Sequence, residues 1–166
     1  MPVIEVLYSD LENLLNTNLP RDREALNDLL AYVKGEVERW DGDEVSIEIK
    51  DGNRPDLWGV EGIARELRGV LGIDEGLIPY KIHASSSIEV NVNPDLHDIR
   101  PYIAASIVKG VQLTDDIIRE FMHLQDKLDQ TYGRRRARAS IGLYNYDLVT
   151  PPLQYTVAKP TEISFV

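Results

Sequence analysis

A chain of 166 residues fits one full domain, or one small domain and part of another. Its net charge of −10 suits no general nucleic-acid binder, but the charge is uneven: residues 1–100 hold 21 of the 28 acids and 10 of the 18 bases, so contact with RNA is to be sought in residues 101–166. The absence of cysteine excludes a disulfide framework and a cysteine zinc site, and His83, His97 and His123 have no metal-ligand spacing, so no metal site is expected.

Val3 to Tyr8, rich in β-branched and aromatic residues, predicts a first strand. Ser9 with Glu12 three residues on reads as a capping box for a short helix, Asp10 to Leu15. A second helix is expected over about Asp22 to Tyr32, burying Leu26, Leu29, Leu30 and Val33. Two extended runs, Glu36–Trp40 and Glu44–Lys50, flank Asp41-Gly42-Asp43, which is a hairpin signal. Val45, Ile47 and Ile49 share one face of the second run.

Asn53-Arg54-Pro55-Asp56-Leu57 then launches a helix expected from Trp58 to Gly72. Leu57, Val60, Ile63, Ala64, Leu67, Val70 and Leu71 form its apolar stripe. Pro55 suits a first helical turn, Asn53 and Asp56 are candidate capping and first-turn groups, and Gly72 is the expected stop. Gly59 and Gly62 fall inside this expected helix, where each costs about 1 kcal/mol against alanine and therefore marks close packing.

Beyond a loop at 76–79, Tyr80–Ala84 and Ser87–Val92 read as extended, and Asn93-Pro94 breaks the second. Ile103–Val111 is mostly apolar and reads as a strand buried on both faces. Thr114 caps a helix of about Asp115 to Thr131 with stripe Ile117, Ile118, Phe121, Leu124 and Leu128, ended by Gly133. Tyr155–Val157 and Ile163–Val166 resemble strands, and an apolar strand running off the end of the chain hints at truncation. There is no signal peptide, bilayer-length apolar run or lipidation motif, so no membrane partner is expected and a cytoplasmic location is. The order of elements gives an α+β class, with a small mixed α/β N-terminal domain followed by part of a second α+β domain.

Two groups of residues merit a functional reading. Asn53, Arg54 and Asp56 could contact another domain, or form a capped helix start in which Arg54 pairs with a nearby acid. Arg134, Arg135, Arg136 and Arg138, with Tyr144 and Tyr146 downstream, could combine phosphate contacts with base stacking, or form a basic loop that offsets the acidic remainder. Asp115/Asp116 and Asp126/Asp129 read as helix-dipole and surface acids, Ser85–Ser87 lacks a nucleophile elbow, and no glycine-rich phosphate loop is present, so no catalytic residue is expected.

Asn53–Leu57 followed by Val60-Glu61-Gly62-Ile63-Ala64-Arg65-Glu66-Leu67 resembles the β subunit of phenylalanyl-tRNA synthetases of the archaeal and eukaryotic branch. Pro2–Val6 with Ser9–Leu11, Ile99–Tyr102 with Val108–Val111, and Leu124–Leu128 through Gly133–Arg136 to Ile141–Tyr144 extend the likeness over essentially the whole chain, in order. Asn53, Arg54, Pro55, Asp56 and Glu61 carry the identifying motif. The resemblance implies an N-terminal domain at 1–80, extended linking segments at 81–98, and the start of a truncated editing domain at 99–166. It also implies a parent α2β2 enzyme that charges tRNA(Phe) using ATP and Mg²⁺, with the synthetic site on the α subunit and no cofactor bound by this piece. A free-standing hydrolase of mischarged Tyr-tRNA(Phe) and a non-catalytic tRNA or protein interaction module are the alternatives.

Overall fold

Alternating residues in the first fifty positions build a three-stranded antiparallel sheet of order β1-β3-β2, from β1 (Val3–Leu7), β2 (Gly35–Asp41) and β3 (Glu44–Ile49). The structure is a computed structural model that describes residues 2–77, 79, 81 and 88–164. By internal contacts it groups into two units, Met1–Pro79 with Leu113–Ile141, and Tyr80–Gln112 with Gly142–Val166. This differs from the division at 1–80, 81–98 and 99–166, because Leu124 and Leu128 pack against the N-terminal core.

In the first unit, β3 lies centrally and pairs Ile4 with Ile47 on one side and Val37 with Ile47 on the other. Val45, Ile47 and Ile49 are buried as their spacing predicts. A bulge between Val37 and Arg39 interrupts the edge strand β2. The helix α2 (Arg23–Leu30) covers that irregular edge: Arg23 donates to the carbonyls of Val37 and Glu38 at 2.6 and 3.1 Å, and Asn27 Oδ1 accepts from Val37 N at 2.7 Å. An open edge is thereby blocked to further pairing. Asp22 caps α2, accepting from Ala25 N.

The helix α1 (Tyr8–Leu15) starts straight out of β1, two residues earlier than the Ser9 capping box requires. Its N-cap, Leu7, has no side-chain acceptor, and Asp43 of the hairpin turn supplies one instead. The Asp43 carboxylate accepts from Ser9 N and Ser9 Oγ at 3.1 and 2.5 Å, and its carbonyl accepts from Tyr8 N at 2.7 Å. Glu12 is engaged elsewhere, accepting from Leu19 N and Arg21. An acid at this helix N-terminus satisfies orphan donors and suits the dipole, whichever element it comes from.

Pro55–Leu57 forms its own 3₁₀ turn and α3 runs Val60–Val70, so a break at Trp58 and Gly59 separates the two and the helix starts two residues after the expected Trp58. Gly59 is the extended N-cap of α3 and not an interior residue. Neither Asn53 nor Asp56 caps a helix by its side chain. The break has a steric origin at Gly62, where a Cβ would lie 1.5 Å from the Asp56 carbonyl oxygen. Gly72 (φ +68°) closes α3 as expected, with Ile73 N donating to Arg68 O and Gly72 N to Gly69 O in a Schellman pattern. Arg68 also donates to the Leu14 carbonyl at the end of α1 and pairs with Asp74.

In the second unit β4 (Val90–Val92) pairs in parallel with β5 (Leu153–Tyr155), two residues upstream of the expected Tyr155–Val157. Ile103–Val111 is exposed and has no regular structure, contrary to the buried strand expected there. A strand buried on both faces needs paired neighbours, and among the described residues none pairs with it. Ile163 and Ser164 lie outside any strand, while Phe165 and Val166, like Tyr80, Ile82–Ala84 and Ser87 of the earlier extended runs, lie outside the described residues.

The Gly62 contact gives a direct test. Gly62→Ala forces backbone away from backbone and is expected to destabilise the fold by about 3 kcal/mol or more in urea denaturation. An unchanged midpoint would refute the close approach.

Candidate nucleic-acid interface

The helix α4 (Asp115–Gln130) carries the arginine cluster at its C-terminal end and belongs to the first unit. Thr114 Oγ1 accepts from Ile117 N, and Asp115 and Asp116 occupy the first turn, as the sequence predicts. Its seat is the Asn53–Gly62 segment. Leu124 approaches Gly59, where an added Cβ would lie 3.9 Å from its Cδ2. Tyr132 meets Trp58 edge-on at 5.7 Å, and its hydroxyl donates to the Asn53 carbonyl at 3.4 Å. The two motifs singled out in the sequence, 80 residues apart, thus adjoin through Tyr132 and Trp58, residues that no local pattern marks.

Within the first motif the polar side chains serve one another. Arg54 pairs with Asp56 through three hydrogen bonds, from Nε to Oδ1 and Oδ2 at 3.0 and 3.2 Å and from Nη2 to Oδ2 at 2.7 Å, and reaches Glu66 at 3.4 Å. The Arg54 hydrogen bonds hold the Asp56 carboxyl below the usual carboxylate range, against a smaller upward push from burial. Pro55 opens the 3₁₀ turn, and Glu61 lies in the first turn of α3 with its carboxylate folded back toward Gly59.

Past α4 the backbone turns left-handed. Gly133 is buried where a Cβ would lie 2.4 Å from Ala139 O and 2.7 Å from Asp129 O. Arg134, Arg135 and Arg136 follow with φ of +48°, +55° and +65°. Each such L-residue costs about 1–2 kcal/mol relative to a right-handed conformation, so three in succession persist only because surrounding contacts over-determine them. Asp129 supplies those contacts. It is only 1% exposed, a correction to its reading as a surface acid. Its carboxylate accepts from Arg136 Nε at 2.7 Å and from Ile141 N at 3.1 Å, and its carbonyl accepts from Arg136 N. A buried carboxylate is tolerable when it is paired and hydrogen-bonded in this way.

The four arginines are therefore not equivalent. Arg136 is committed to Asp129, whereas Arg134, Arg135 and Arg138 are exposed and form no ion pair among the described residues. Tyr144 and Tyr146 belong to the second unit, where Lys109 stands 5.2 Å over the Tyr146 ring. Among the described residues no group of His, Asp and Glu is placed to hold a metal ion, and no helix is long and apolar enough to cross a membrane.

Carboxylates from three helices also gather in this unit. Burial pushes the Glu120 carboxyl of α4 up to about 7, aided by the charges of Glu61, Asp10 and Asp116 and by a hydrogen bond with Asp10. A raised folded value against an ordinary 4.5 means that the folded chain holds an extra proton between the two. That contribution to stability is complete below the ordinary value and lost as pH rises through about 7. Glu120→Gln should therefore raise the denaturation midpoint over the parent chain at about pH 8 and change it little at about pH 4. Equal differences at both would refute the assignment.

No family model matches the chain. Several curated proteins do, each a phenylalanine–tRNA ligase β subunit. That of Pyrococcus horikoshii is 39% identical over 98% of this chain and 29% of its own length. That of Thermococcus kodakarensis is 40% identical over 98% and 28%, and that of Methanosphaera stadtmanae 36% identical over 100% and 29%. A solved N-terminal fragment of the phenylalanyl-tRNA synthetase β subunit from Pyrococcus horikoshii superposes with a TM-score of 0.88 at 38% identity, covering 96% of this chain and 46% of that one. Over the part it spans, the chain is thus similar in sequence and fold to phenylalanine–tRNA ligase β subunits. The chain covers less than a third of the length of these curated relatives.

Proposed function

We propose that the chain acts as part of a phenylalanine–tRNA ligase β subunit, within an assembly with an α subunit that charges tRNA(Phe) with phenylalanine at the expense of ATP. In that role the first unit is a scaffold for subunit assembly, and the residues from about 99 onward that lie outside it contribute to the start of an editing domain. ATP and Mg²⁺ belong to the parent reaction. Among the described residues no group of His, Asp and Glu is placed to hold the Mg²⁺, and no step through either is assigned to this chain. A cytoplasmic location accords with a role in translation.

The observation that carries this reading is the 38% identity that accompanies a TM-score of 0.88 with the N-terminal fragment from Pyrococcus horikoshii. Contact with tRNA falls to Arg134, Arg135 and Arg138, whose guanidinium groups are exposed beside a net negative surface elsewhere in the chain. Arg is suited to this because its planar fork meets phosphate oxygens in pairs. Asn53, Arg54 and Asp56 contribute architecture, since their polar groups are taken up locally and by Tyr132.

Replacing Arg134, Arg135 and Arg138 together by alanine should weaken binding of a tRNA(Phe) transcript. It should also flatten the slope of log affinity against log salt by about 2 units, at about 0.7 per lost phosphate contact. An unchanged slope rejects the RNA contact. Hydrolysis of Tyr-tRNA(Phe) above background by the 166-residue chain would replace the scaffold reading by that of a hydrolase.

A further inference from the structure

Exposed arginines that only attract a polyanion by charge need no fixed backbone, yet this loop is held in a conformation that L-residues avoid. The restraint comes from one buried carboxylate at the last turn of α4. Asp129 ties down Arg136 through Nε and backbone N, and ties down Ile141 through its N–H, so it fastens the middle and the C-terminal side of the segment that carries Arg134, Arg135 and Arg138. Arg138 N donates to Gly133 O at 2.8 Å and Arg134 N to Thr131 O at 2.9 Å, which completes the closed loop. Gly133 is the residue that lets the two strands of the loop approach.

We propose that Asp129 is a positioning residue for RNA: by clasping Arg136 and Ile141 it sets the spacing at which Arg134, Arg135 and Arg138 meet phosphates of a folded RNA. The inference rests on the reading of this loop as an RNA contact. Arg136 then belongs to the clasp and the other three arginines to the ligand. Preorganisation of this kind strengthens binding by removing the ordering cost that a mobile basic loop would bear.

The sign of one substitution separates this from simple charge attraction. Asp129→Asn removes a negative charge beside the arginines, so attraction alone predicts tighter binding to a fluorescent tRNA(Phe) transcript. The clasp predicts binding about five- to tenfold weaker, with faster hydrogen exchange at the amides of Arg136, Arg138 and Ile141 and an unchanged salt slope. Arg136→Gln, at a side chain 60% exposed, serves if the first variant does not fold. It should weaken binding at least as much as Arg134→Gln, although its own charge already faces a carboxylate. Binding by folded Asp129→Asn that equals or exceeds the parent's, or a smaller loss in Arg136→Gln than in Arg134→Gln, overturns the inference and leaves the RNA contact standing. An unchanged salt slope in the Arg134/Arg135/Arg138 variant overturns both.

Discussion

The contact of the Asp56 carbonyl against Gly62 sets the course of the chain through the centre of the first unit. An added Cβ there would sit 1.5 Å from that oxygen, so only glycine lets the Pro55–Leu57 turn lie over the first turn of α3. That overlap forces the break at Trp58 and Gly59. The break buries the Trp58 ring while leaving Gly59 open to α4. Leu57, Val60, Ile63 and Leu67 then enter the core shared with the sheet. Burial of such side chains contributes about 1.5–3 kcal/mol each, so the glycine matters less for its own interactions than for the apolar surface it allows to close.

From that seat the structure continues to α4 and its loop. Leu124 and Leu128 extend the core, Tyr132 joins Trp58 and the Asn53 carbonyl, and the helix end is closed by Asp129. The Asn53–Gly62 segment and the arginine cluster are parts of one packed arrangement. Charge is distributed to match: acids of α1, α3 and α4 gather around Glu120, and bases follow the C-terminal end of α4. The acidic end makes the docking of α4 sensitive to protonation, whereas the basic end holds its cations apart by tying one of the four to a carboxylate.

What was legible in the sequence was local. Val45, Ile47 and Ile49 alternate because one sheet face is buried, Asp41-Gly42 turns the hairpin with Gly42 at φ +60°, and Thr114 with two acids announces α4. Gly72 likewise closes the helix that it follows. What was not legible depends on distant partners. Ser9 and Glu12 have the spacing of a capping box, but Asp43, more than thirty residues away, takes the position. Asp129 has the pattern of a surface acid until Arg136 and Ile141 close over it. Composition counts four equal arginines, and only the left-handed turn divides them into one that holds and three that project. Ile103–Val111 has the composition of a buried strand, but composition does not supply the neighbours a strand requires.

The account depends most on residues 113–141 forming part of the N-terminal fold. Native-state hydrogen exchange on the 166-residue chain in rising denaturant tests this directly. If α4 and its loop belong to that fold, the amides of Leu128, Arg136 and Ile141 lose protection together with those of Ile47 and Leu67, in one opening reaction. Opening of the α4 and loop amides at markedly lower denaturant, while Ile47 and Leu67 stay protected, would contradict it.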